Sequence, residues 1–307
     1  MSTTPGNTPG TTPDATGEVA AAPKRRTTIV AAIVVAALAL AGVVTWLAFG
    51  RSQGAATGPR TVAQIQEAGK VRIGVFSDKA PFGSVDSSGA YVGYDIEYAE
   101  RVAKDLSVTL ELVPVEAAAR VEYLTSGKVD IILANFTVTE ERAEKVDFAK
   151  PYLKVSLGVV SPDGAPITDV AQLDGKDVLV VRGTTAETYL EAHHPEVKIQ
   201  KYEQYTEVTN ALLDGRGAAW VTDNTEALAW AKNNDGFSTT IASLGPQDSI
   251  AAAVQKGNAD LLRWLDDELV TLGKENFFHA AYTKTLEPVY GTDVSADELG
   301  VEGGVVK

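Results

Sequence analysis

An α/β fold is predicted for the chain beyond about residue 60, and three observations predict it. Short apolar runs bounded by turn residues alternate with stretches whose apolar residues recur at helical spacing. That alternation continues to about residue 272 with no internal repeat at solenoid periods. At 307 residues and 45% apolar composition, the chain can bury the core of two domains or one large one.

Taken from the N-terminus, residues 1–26 are dominated by Thr, Pro, Gly, Ala and Ser, too polar to offset ordering entropy, and read as a disordered tail. Residues 27–50 read as a transmembrane anchor. Ile29 to Phe49 carries no charge and spans roughly 30 Å as a helix at about 1.5 Å per residue. Lys24, Arg25 and Arg26 precede it and Arg51 follows, which puts the N-terminus in the cytoplasm and the rest of the chain outside. The alternative is a cleaved signal peptide, whose apolar region normally runs about 7–15 residues. Residues 51–60 read as a linker.

VRIGVF (71–76) is then a strand, and GYDIEYAERVAKDL (93–106) a helix with Ile96, Ala99, Val102, Ala103 and Leu106 on one stripe. TLELVPV, VDIILANF, LGVVSP, DVLVV and AAWV read as further strands, in largely parallel sheets. A long amphipathic helix starts near Ala259, and FFHAAYTKTLEPVYG continues helical to Pro288. The tail 289–307 has little apolar content to pack.

Composition excludes several classes of function. A formal charge of −14 repels nucleic acid. The absence of cysteine rules out disulfides, thiolate nucleophiles and lipid attachment through a processed cysteine. Three histidines, two adjacent at His193 and His194 and one at His279, do not make a zinc site, and no metal or cofactor is expected.

Three segments can carry chemistry. In NFTVTEER (135–142), Thr139 suits an N-cap, and Arg142 opposes the helix dipole in the first turn by about 0.3–1 kcal/mol, which asks for an anion nearby. A surface salt bridge to Glu140 or Glu144 would supply one as well. In VVRGTTAETYL (180–190), a Gly-Thr-Thr turn at a helix start offers N–H groups and two hydroxyls to a carboxylate, or is an ordinary capped turn. In WVTDNTEALAW (220–230), Asp223 stands at the carboxyl end of a strand before a helix capped by Thr225. There it can hold an ammonium or simply close a turn.

GYDIEYAERVAKDL resembles the signature of family 3 solute-binding proteins, although Tyr98 stands where an aliphatic residue or Phe is usual. VRIGVFSDKAPFGSVD, EAAARVEYL, ILANFTVTEERAEKVDFAKPYLKVSLGVVSP, RGTTAETYL, TDNTEALAWAK and FFHAAYTKTLEPVYG match in order, from about residue 60 to 303. Within the family the chain is most similar to cysteine-binding members. The resemblance implies a two-lobed, type II periplasmic-binding-protein-like fold: lobe 1 from 61–155 plus 250–288, lobe 2 from 156–249, with a ligand in the cleft between them and crossovers near Lys154–Leu157 and Asp248–Ala251.

It further implies that Arg142 clamps the ligand carboxylate, with Thr137 and the backbone near Asn135 beside it. Thr184 and Thr185 meet the same carboxylate from lobe 2, and Asp223 takes the ammonium. Phe82 with Pro81 forms an apolar wall. Arg120 and Lys79 lie where selectivity is set, although Ala119 departs from the expected AANR and Lys79 also reads as a solvated loop lysine.

The expected protein is a monomer that captures a small polar amino acid, cysteine first and glutamate, aspartate, glutamine or cystine next, for an ABC permease and ATPase. An enzyme on the same scaffold, dehydratase-like, and a ligand-sensing surface receptor are the alternatives.

Overall fold

The structure is a computed structural model that describes residues 58–306. The disordered tail, the transmembrane helix and most of the linker expected before it lie outside the described residues. Among the described residues no helix is long and apolar enough to cross a membrane.

The chain enters through helix α1 (Val62–Glu67), started by a capping box between Thr61 and Gln64 and tied down by Ile65 in the core. Strand β1 (Lys70–Val75) follows. Three short strands, β2 (Asp78–Lys79), β3 (Gly83–Val85) and β4 (Tyr91–Val92), form a small antiparallel sheet. Helix α2 (Tyr94–Asp105), strand β5 (Thr109–Pro114), helix α3 (Arg120–Thr125), the short β6 (Ile131–Ile132) and the single-turn helix α4 (Glu140–Ala143) complete the first pass through lobe 1.

Strand β7 (Val146–Pro162) then runs into lobe 2, built from β8 (Asp177–Val181), α5 (Thr185–His193), β9 (Lys198–Tyr202), α6 (Tyr205–Leu213), β10 (Ala219–Asp223) and α7 (Asn224–Lys232). Strand β11 (Phe237–Gln255) returns the chain to lobe 1, which ends with α8 (Ala259–Lys274), α9 (Phe277–Thr285), α10 (Glu287–Tyr290) and α11 (Ala296–Leu299).

The strands join in the order β5-β1-β6-β11-β7-β10-β8-β9. Each flank is parallel, as expected, but the middle is antiparallel because β7 and β11 cross between the lobes in opposite directions. Their register pairs Lys154 with Ser249 and Leu157 with Leu244, with an irregularity between Leu244 and Asp248.

Lobe 1 is organised around an aromatic cluster. Tyr98, the departure from the family pattern, is fully buried with its ring 5.1 Å from Phe278 and 5.3 Å from Tyr152. An aromatic there fills space between α2, β7 and α9, and edge-to-face contact adds to the burial. Lobe 2 closes over Val178, Val180, Leu190 and Val221.

Two expectations are corrected. The tail after Pro288 is part of lobe 1: Tyr290, Leu299 and Val301 are buried, and the Val301 N–H donates to the Tyr152 carbonyl at 3.0 Å. Two four-residue helices hold it, too short to show periodicity in sequence. Thr225 does not cap α7. Strand β10 turns straight into the helix, Asp223 takes the cap position, and the Thr225 hydroxyl is buried with no partner among the described residues.

Candidate functional site

Two arginines of lobe 1 converge on one carbonyl of lobe 2. Thr139 caps α4 and its hydroxyl accepts from the Arg142 N–H, which turns the Arg142 side chain inward. Its guanidinium donates to the Thr137 carbonyl at 2.7 Å and to the Gly183 carbonyl at 2.9 Å. Arg120, at the start of α3 and 3% exposed, donates to the carbonyls of Ala117, Ala134 and Asn135, and to Gly183 at 3.1 Å. Both guanidinium groups lie on the Phe136 ring, at 4.4 Å for Arg120 and 4.8 Å for Arg142.

Among the described residues neither arginine has a carboxylate within ion-pair distance, so the surface-bridge reading of Arg142 does not hold. Burial and then the Arg120 charge push Arg142 down to about 9. Two like charges, one buried and one half-buried, with carbonyls and an aromatic ring as their partners form a site for an anion.

Facing them is a hydrogen-bonded acidic network. Asp223 at the end of β10 accepts from the Lys79 ammonium at 2.6 Å and from the Asn135 amide at 3.0 Å through the same oxygen. Asn135 sits at φ 43°, and its backbone N–H donates to Asp95 at 2.7 Å. Asp95, the acid of the GYDIEY segment, is fully buried and also accepts from the Tyr152 hydroxyl at 2.7 Å. Burial raises its carboxyl to about 6 against those hydrogen bonds. Gly93 precedes it at φ 134°, and a Cβ there would lie 2.2 Å from the Phe82 carbonyl, so this turn requires glycine.

Lys79 is not a solvated loop lysine. It is 1% exposed, lies 3.3 Å from Glu226 and donates to the Tyr205 hydroxyl at 3.1 Å. Burial opposes its charge, yet Asp223 and Glu226 together hold it well above the usual lysine range.

Phe82 does not line the cleft: it is fully buried in the core of lobe 1. The aromatic surface there is Phe76, 5.3 Å from the Tyr205 ring and 5.4 Å from the Arg120 guanidinium. Thr137 is buried and contributes its carbonyl to Arg142. The Thr184 hydroxyl is committed at both ends: it caps α5 by accepting from the Glu187 N–H and donates to the Val181 carbonyl at 2.7 Å. Thr185 lines a cavity of about 210 Å³ with Thr139 and Asp248.

Sequence reasoning missed Phe76, Asp95, Tyr205 and Glu226. A signal existed for two of them: Phe76 directly follows the carboxyl end of a parallel strand, where ligands collect, and Glu226 lies three positions after Asp223 at the start of the same helix.

The Gly183 turn also brings the lobes into contact. It adopts φ 76°, and a Cβ there would lie 2.5 Å from the Ala118 Cα of lobe 1. Gly183→Ala should therefore hold the lobes apart and weaken ligand binding about tenfold or more, beside a backbone strain of roughly 1–2 kcal/mol. Titration calorimetry with a parallel thermal melt checks it; unchanged affinity would show that closure does not bring these two segments together.

The family model described as bacterial extracellular solute-binding proteins, family 3, matches residues 71–287. The chain belongs to this family. Among its relatives, the ABC transporter glutamine-binding protein GlnH of Bacillus subtilis is 30% identical over 232 residues, covering 74% of this chain and 85% of GlnH. Two solved structures are more similar. The solute receptor for L-cysteine of Neisseria gonorrhoeae is 55% identical with a TM-score of 0.78, covering 79% of this chain and 100% of the receptor. The cysteine-binding protein of Campylobacter jejuni is 49% identical with a TM-score of 0.77, covering 78% of this chain and 98% of that protein. The family fold is thus the two-lobed one described above, and its members bind solutes.

Proposed function

We propose that the chain is the receptor of an ABC importer, capturing a polar amino acid, L-cysteine in first place, by closure of the cleft and presenting it to a membrane permease with its ATPase. One observation carries the reading: the buried Arg120 and the half-buried Arg142, which have no carboxylate partner among the described residues, lie within electrostatic reach of Asp223. That arrangement complements a zwitterion, which needs a cation with hydrogen bonds for its carboxylate and an anion for its ammonium. Similarity to receptors named for L-cysteine, at 49% and 55% identity, supports that choice of cargo.

In this reading Arg142 clamps the carboxylate, and Thr137, Asn135 and the Thr184–Thr185 turn flank it. Asp223 receives the ammonium, and Phe76, Lys79 and Arg120 border the side chain. No step needs a cofactor or a covalent intermediate, and the protein acts as a monomer without catalysing a reaction. Ligand contacts made by both lobes favour the closed state in proportion to their differential affinity. The apolar run Ile29–Phe49 tethers the receptor, with the N-terminus cytoplasmic and the lobes outside.

Calorimetric titration of the full chain in detergent-containing buffer, with each of the twenty amino acids and cystine, should give micromolar or tighter binding, about −8 kcal/mol, for one or two polar amino acids. The same preparation should retain an N-terminal tag and fractionate with membranes. Absence of binding to every amino acid would refute the receptor reading, and loss of the tag from mature protein would refute the tether.

A further inference from the structure

Asp223 is already occupied by a cation of the chain itself. The Lys79 ammonium, carried by β2 of lobe 1, lies 2.6 Å from Asp223 and 3.3 Å from Glu226, both on lobe 2. The two carboxylates stand three positions apart where β10 turns into α7, so they share a helix face. Glu226 is 3% exposed and accepts from the Thr222 hydroxyl at 2.6 Å, which fixes its carboxylate beside Lys79.

A ligand ammonium that reaches Asp223 meets Lys79 on the same carboxylate. Two ammonium groups on one carboxylate repel each other strongly in a buried site. The repulsion is relieved only if Lys79 has a second anion within a small side-chain shift, and Glu226 is that anion. We infer that Glu226 is a positioning residue for ligand binding: it takes over the Lys79 ammonium as the ligand ammonium takes Asp223. The inference rests on the amino-acid receptor reading and adds to it a residue and an exchange of ion-pair partners.

The groups facing Glu226 are Lys79 from β2, Tyr205 from α6, Thr222 and Asp223 from β10, and Tyr290 from α10. Burial raises its carboxyl to about 7, with Lys79 and the Thr222 hydroxyl pulling down and Asp223 pushing up. The ligand-bound state, in which Lys79 leans on Glu226, favours the ionised form. Affinity therefore falls as pH drops through about 7, where a protonated Glu226 no longer accepts the lysine.

The test titrates L-cysteine, under reducing conditions, into the full chain at pH 8 and pH 6. Comparing variants at each pH cancels the titration of the ligand itself. At pH 8 Glu226→Gln should bind about tenfold or more weakly than wild type, and at pH 6 the gap should shrink to within about threefold. Lys79→Met in the Glu226→Gln background should recover most of the loss, because the competitor for Asp223 is gone; a residue needed only for folding would show no such rescue. Glu226→Asp keeps a carboxylate and should lie between the two, and it carries the comparison if the glutamine variant does not fold.

Equal affinities of wild type and Glu226→Gln at both pH values, or a double variant no better than the single, overturns the inference and leaves the receptor reading standing. Failure of the wild-type chain to bind any amino acid overturns both.

Discussion

Replacing Arg142 with alanine should weaken ligand binding by about 2–5 kcal/mol, roughly thirtyfold to several thousandfold, while leaving the ligand-free protein as stable as before or more so. Both halves follow from the environment of this side chain. Its guanidinium rests on the Phe136 ring and is held by the Thr137 and Gly183 carbonyls, so it is ordered before a ligand arrives. Arg120 does not replace it, because four backbone carbonyls already hold that guanidinium in place.

Without ligand, Arg142 is a burden: burial and the neighbouring arginine charge depress it, and its removal relieves Arg120 of a like charge. Arg142→Lys should recover only part of the affinity, since an ammonium cannot form the parallel pair of hydrogen bonds that a guanidinium gives a carboxylate. Titration calorimetry and a urea melt read the two quantities separately. An affinity within about threefold of wild type would move the carboxylate site elsewhere, given the loss expected for a buried charge partner.

Tyr290→Ala is expected to have the largest effect on stability, about 3–5 kcal/mol, the range for truncating a large buried ring. Tyr290 is fully buried in the core of lobe 1, 6.4 Å from the Tyr282 ring, and its hydroxyl donates to the Thr225 carbonyl of lobe 2 at 3.0 Å. Beside it Lys232 of α7 pairs with Asp293 at 2.6 Å. These contacts fasten both ends of α7, and with its start Asp223, against the C-terminal segment. Ligand affinity should therefore fall as well. Tyr290→Phe, which removes one hydrogen bond and keeps the ring, should cost only about 1 kcal/mol. A urea midpoint for the alanine variant within about 1 kcal/mol of wild type, at unchanged slope, would mean the segment packs loosely after all.

The parts of the site that were legible in sequence are those where a residue breaks a local rule. Arg142 opposes the dipole of a helix whose N-cap Thr139 is itself recognisable, and Asp223 ends an apolar strand before a helix; each advertises a role without a partner in view. Lys79 and Glu226 break no local rule. A lysine after an aspartate in a loop and a glutamate in a first helical turn are both ordinary, and they meet only because two lobes, linked among the described residues through β7 and β11, come together.

Phe76 and Phe82 show the same limit at shorter range. Both flank the Asp78–Lys79 strand, and the path of the β2–β3 turn decides which ring enters the lobe 1 core and which faces Tyr205. Strands and long helices announce themselves by period. The C-terminal helices, one turn each, have no period to announce, and so nothing in the sequence marks Tyr290, Leu299 and Val301 as buried.

Because α1 and the C-terminal segment both pack on lobe 1, the other lobe is an insertion spliced into its neighbour through two adjacent strands. The inserted lobe carries neither end of the described residues, which both lie on its neighbour. Such an insertion is also a natural unit of exchange: grafting the span between the two crossovers from a relative would replace Gly183, Asp223 and Glu226 together while leaving the arginine pair untouched.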